Sequence, residues 1–308
     1  MSKLIKARRL LACGPVCAGL FFGTVGRVVA CLIPVFQYAT ENWPADPHRL
    51  VLAAPAEAPG LALLERAQGA GANIEIELDE AAEDRARLRA YYPLRTGLRE
   101  PWWSGELTEQ SAVTLLESPA RREIIRRLLE RKVAVWVMLE SGDRSRDRQT
   151  WKMLEEETRN LKQTLRVILP EDDVDASGIQ TDIDFALVRV KRTNPEEKLL
   201  VEMLLGMEPD LRDFEGQPMV FPIYGRGLVL YALVGAGINP RTLREAAEFL
   251  TGPCSCQIKS ANPGLDLLLS QDWESVVEQR AVWDADLPSG GVDGFLQRMR
   301  TADEQMTE

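Results

Sequence analysis

The stretch that most narrows what this chain can fold into is GQPMVFPIYGRGLVLYALVGAGINPRTLREAAEFL, residues 216–250. MVFPIY reads as a strand, GRG as a turn and LVLYALVG as a second strand, so the run predicts a β-hairpin. Asn239 then caps a helix with Pro240 in its first turn, and Leu243, Ala246, Ala247 and Leu250 recur on one face. Pro222 inside the first strand removes a ladder hydrogen bond unless a bulge absorbs it. Gly225, Gly227, Gly235 and Gly237 are turn glycines, and neither GRG nor GAG continues into a phosphate loop or dinucleotide fingerprint.

Upstream, the chain alternates strand and helix. RLVLAA (49–54), PGLALLERAQ (59–68) and NIEIELD (73–79) form a β-α-β unit, which favours parallel strands. The alternation of NIEIELD leaves one sheet face wet. The turn-rich YYPLRTGLREPWWSGELT follows. In it, Trp102 and Trp103 are candidates for a binding groove, against the plainer reading of one ring in the core and one over the surface. A short strand is expected near 102–107. ELTEQSAVTLLE and SPARREIIRRLLER are helical, the latter with Ser118 as cap and Pro119 at its first position. Ile124, Ile125, Leu128 and Leu129 form its buried stripe. Arg121, Arg122, Arg126 and Arg127 are expected on its solvated face. VAVWVML (133–139) is apolar enough to be buried on both faces. A helix over 145–163, a strand over 185–192 and a helix over 194–205 complete the series. A short helix at 33–43 precedes it all, and an amphipathic piece at 265–279 with a mobile tail follows. The acidic loop 171–184 lacks the frame of a calcium loop.

The hairpin-and-helix run, preceded by a proline and by a β-α-β half, resembles the thioredoxin superfamily over residues 132–250. The resemblance implies that Pro218 occupies the position of the family's cis-proline beside its active site. It also implies a C-x-x-C pair at the start of the helix after the first strand, but ESGDRSRDRQTW stands there without a cysteine. The family's chemistry needs a thiolate held by that helix N-terminus, so its usual activity is not expected. Residues 49–130 read as a diverged second copy. The expected fold is therefore α/β: tandem thioredoxin-like domains, each a mixed sheet flanked by helices, after an N-terminal signal segment. Boundaries fall at 1–30, 31–131, 132–252 and 253–308. Tandem domains of this kind that lack the cysteine pair act as binding or structural modules. The chain also resembles secreted bacterial proteins, a likeness that implies no activity.

The signal reading rests on MSKLIKARR, a basic start, then 17 residues without charge, then RVVA with small residues at 28 and 30. Three outcomes stay open: cleavage after Ala30, lipidation of Cys31 in the lipobox-like VVAC, and an uncleaved anchor. Export would leave Cys31, Cys254 and Cys256 where disulfides persist. Cys254 and Cys256, in GPCSCQIKS, form a C-x-C. Redox exchange, soft-metal binding by the two thiolates, and structural pairing of one of them with Cys31 all fit the spacing.

The chain has 308 residues, a net charge of −10 and one histidine. All five charged residues of the first 30 are basic, so the remainder is more acidic still. That disfavours nucleic acid as a partner. A lone His48 leaves histidine-based metal sites and acid–base relays without parts; the sequence places it at a loop edge. The expected function is that of an exported, non-catalytic binding or scaffold protein of the bacterial envelope. It would need no cofactor, would meet protein partners, and would touch membrane only through an anchor or lipid at Cys31. The alternatives are a thiol–disulfide exchange protein using Cys254 and Cys256, or a metal-binding protein using the same pair.

Overall fold

The computed structural model describes residues 31–53, 58–79, 86–167, 179–254 and 264–286. Residues 1–30, read from the sequence as a signal segment, the stretch 168–178 of the acidic loop, Cys256 and the C-terminal tail lie outside them. Its elements run β1 (Cys31–Pro34), α1 (Val35–Asn42), β2 (His48–Ala53), α2 (Leu61–Gly69), β3 (Ile74–Leu78), β4 (Arg87–Tyr91) and β5 (Pro101–Glu106). Next come α3 (Glu109–Leu116), α4 (Pro119–Leu129), β6 (Ala134–Leu139), α5 (Arg144–Thr164), β7 (Phe185–Val190) and α6 (Lys198–Leu205). The rest is β8 (Met219–Tyr224), β9 (Leu228–Val229), β10 (Leu233–Val234), α7 (Pro240–Thr251), β11 (Pro253–Cys254), β12 (Leu265–Asp266) and α8 (Trp273–Asp286).

The protein is mixed α/β, with mixed sheets flanked by helices. One sheet has the order β3-β2-β4-β5. In it β2 and β3 are parallel, and the β2–β4 and β4–β5 pairs are antiparallel. The larger sheet has the order β12-β9-β8-β6-β7. There β6 and β7 are parallel, and the β6–β8 and β8–β9 pairs are antiparallel. Strand for strand, β7-β6-β8-β9 repeats β3-β2-β4-β5 in order and in direction.

The sequence reading missed β4, the inner strand that joins β2 to β5. Its inward residues are Leu88 and Ala90, both fully buried, and Arg87, Arg89 and Tyr91 alternate with them on the other face. That outer face is held by ion pairs, Arg49–Glu77 at 2.6 Å and Arg89–Asp79 at 2.8 Å. The sheet is thus wet on one side, as the alternation in NIEIELD requires. By contrast every residue of β6 is buried.

Pro222 sits in mid-β8 and its carbonyl accepts from Leu230 N–H at 2.9 Å, so its missing donor faces the hairpin partner. There the return strand breaks into β9 and β10. Ile223 pairs with Val229 but Val220 pairs with Leu233, so three steps of β8 face four of its partner. The extra residue is a bulge that removes the demand for the absent N–H.

Two cores result. Helices α1, α5 and α7 cover one face of the large sheet, around Trp136, Leu154, Tyr224 and Leu250. The second core joins the other face of that sheet to the inner face of the small one, through α2, α3, α4 and α6. Within the piece read as amphipathic, 265–279, the helix begins only at Trp273, and residues 265–270 open with the short strand β12. Its Leu265, Leu267, Leu268 and Leu269 are buried in succession, which one helical face could not achieve.

Candidate functional site

The N-terminus of α5 is the place where the thioredoxin resemblance would put a thiol. Asp143 caps the helix, accepting from the Ser145 and Arg146 amides at 2.9 and 3.1 Å, and these bonds hold its carboxyl below the usual range. One turn on, Asp147 is 2% exposed. It accepts from Ser141 N–H and Oγ–H, both at 2.8 Å, and from Gly142 N–H at 3.0 Å. A carboxylate therefore fills the site, and the amides of the preceding loop point to it rather than to a ligand.

Pro218 faces the same end of the sheet and is buried. Arg146 donates to the Gly216 carbonyl at 2.6 Å. Arg192 donates to the carbonyls of Gln217 at 3.0 Å and Glu140 at 2.7 Å, so two arginines lace the loop after β6 to the loop before β8. All peptide bonds among the described residues are trans. The bond before Pro218 thus differs from the cis form that the resemblance implies.

The cysteines lie elsewhere. β1 and β11 form a two-stranded antiparallel sheet in which Cys31 stands opposite Cys254. Cys254 is 1% exposed. Cys256, the second residue of the C-x-C, lies outside the described residues. Among the described residues no group of three or more metal-ligating side chains is placed to hold an ion. Trp102 is buried in the shared core, while Trp103 is half-buried and lies over Gly105, where an added Cβ would approach its ring to 2.6 Å.

Sequence reasoning put His48 at a loop edge, and the structure corrects this. His48 is the first residue of β2 and is fully buried. Its Nε2–H donates to the Asp266 carbonyl at 2.8 Å, and its Nδ1 accepts from the Trp102 indole N–H at 3.2 Å. Those two bonds fix the neutral tautomer. Burial pushes its pKa down to about 4, and the nearby Arg121 cation acts in the same direction.

Arg121 is a second correction, because it is 1% exposed instead of solvated. Its guanidinium donates to the Leu115 and Thr114 carbonyls at 2.5 and 2.6 Å, closing the C-terminal end of α3. Burial pushes its pKa down to about 10. The periodicity did hold a signal, since residue 121 falls on the stripe of Ile124 and Leu128. Arg122, Arg126 and Arg127 do form an outer face, paired with Glu117, Glu123 and Glu130.

A cleft with a volume of about 440 Å³ lies along β7, between α4 and α5. Arg127, Lys132, Arg159 and Lys162 line it together with Asp184 and Glu155. Lys132 and Lys162 share Asp184 at 2.6 and 3.2 Å. Among the described residues no helix is long and apolar enough to cross a membrane. No protein-family model, curated protein or solved structure matches the chain.

Proposed function

We propose that the chain is a non-catalytic binding protein of the bacterial envelope, built from two thioredoxin-like halves. The observation that carries this reading is Asp147. Thiol exchange needs a thiolate stabilised by the helix N-terminus, and here a buried carboxylate takes the Ser141 and Gly142 amides instead. The shared strand order of the two sheets supports the tandem reading. The burial of Cys254 also counts against its use as a nucleophile, which must be reached to react.

Differential alkylation with peptide mass spectrometry, on protein taken from its native compartment, tests this reading. Cys254 is expected either bonded to Cys31 or labelled only after unfolding, and the mature chain is expected to begin at Cys31. A Cys254–Cys256 bond that a mild dithiol opens in the folded protein would instead establish the exchange reading.

A further inference from the structure

Among the described residues β7 is an edge strand, with β6 on one side and no strand on the other. The Asp184 and Val190 carbonyls accept from Val133 and Glu140 N–H, so even-numbered residues turn their polar groups toward β6. Phe185, Leu187 and Arg189 therefore turn theirs outward. The Phe185 amide is taken by the Asp184 carboxylate at 3.0 Å. The Leu187 and Arg189 amides and the three odd carbonyls have no partner among the described residues. Such a row is a template for another strand.

The row opens into the cleft lined by Arg127, Lys132, Arg159 and Lys162. Four cations line it, in a chain whose net charge is −10, and of these Arg127 is already paired with Glu123 and Glu130. Glu155 is already held by the Trp151 indole N–H at 2.8 Å. Asp184 serves two lysines, and Arg159 is exposed with no ion-pair partner among the described residues. Arg127 and Lys132 flank the edge from the α4 side, and Arg159 and Lys162 from α5. A strand added here would meet positive charge on both of its faces.

We propose that β7 takes an extended acidic peptide by strand addition, with backbone hydrogen bonds to Leu187 and Arg189 and carboxylates placed on the cations of α4 and α5. The inference rests on the binding-protein reading and names its partner class. Main-chain pairing would supply affinity and the flanking cations selectivity for acidic segments.

The test is fluorescence anisotropy with labelled peptides against the full chain at low salt. The probes are Glu-Val-Glu-Val-Glu-Val-Glu, its Lys-for-Glu counterpart, and the acidic peptide N-methylated at one or the other alternate set of amides. The acidic peptide should bind at least tenfold tighter than the basic one. One N-methylated set should lose most of that affinity and the other should keep it. The double variant Arg159→Glu/Lys162→Glu, on exposed positions, should weaken binding at least tenfold while circular dichroism shows the chain still folded. Equal binding of acidic and basic peptides would overturn the proposal, as would indifference to both N-methylated sets or to the double variant. Self-association that the double variant abolishes would assign the edge to a second copy and overturn it too. Anisotropy is read independently of thiol labelling, so the peptide proposal and the redox-inert reading can fail separately.

Discussion

Acid should unfold this protein through its single histidine before its carboxylates matter. His48 is buried and neutral with a pKa of about 4, against 6.5 for the exposed ring. A base whose folded pKa is depressed contributes stability that is complete above the unfolded pKa. That stability is lost as pH falls toward the folded pKa, because only the unfolded chain takes the proton. Protonating Nδ1 in place would set two donors, the ring and the Trp102 indole, face to face. The gap corresponds to about 3 kcal/mol in all, of which about 2 kcal/mol falls between pH 7 and pH 5 at 1.36 kcal/mol per unit. Urea unfolding at half-unit steps across that window should show this slope in the wild type. His48→Gln, less stable at neutral pH, should be nearly flat over the same range. Being the only histidine, the ring also gives one unambiguous imidazole NMR signal, expected as the Nε2–H tautomer down to about pH 5. A midpoint near 6.5 in the folded protein, or equal slopes for wild type and variant, would refute the reasoning.

Two further perturbations test the packing. Arg121→Met leaves the Thr114 and Leu115 carbonyls buried without their donor and should cost about 3 kcal/mol by urea midpoint, with Arg121→Lys recovering less than half, since an ammonium cannot span both. A Cβ at Gly264, whose φ is +55°, would come within 2.5 Å of the Val229 carbonyl oxygen, whereas at Gly97 (φ +73°) it would meet nothing within 4 Å. Gly97→Ala should therefore cost about 1 kcal/mol from backbone conformation alone and Gly264→Ala clearly more, and equal costs would contradict the close approach.

The parts of the fold that were legible are those where one face or one cap decides the matter locally. VAVWVML could only be buried on both sides, and β6 is. Asn239 and Pro240 announced α7, whose cap accepts from Arg241 and Thr242 N–H. β4 was hidden because two of its five residues are arginines that lie on the wet face. His48 and Arg121 were misplaced for a different reason. Each binds a main-chain carbonyl, 218 residues away for His48 and six or seven residues back for Arg121, and a carbonyl carries no sequence signature.

These misplaced residues share one target. β12 pairs with β9 of the large sheet, and the chain then runs from Asp266 to Ser270 against the first half. His48 holds the Asp266 carbonyl, and Asn73 grips the Leu267 carbonyl and the Leu269 amide at 2.9 and 2.8 Å. Arg121 reaches the Leu268 carbonyl at 3.5 Å, and Ser270 Oγ donates to Leu116 at 3.0 Å. The strap belongs by pairing to one sheet and by side-chain hydrogen bonds to the other, over a core that both sheets share. Neither half can lose its share of that core without exposing the other's apolar face. The proton that His48 takes up on unfolding therefore reports on both halves at once. The acid transition should be a single cooperative step in which the tryptophans of the two sheets, Trp102 and Trp136, change together.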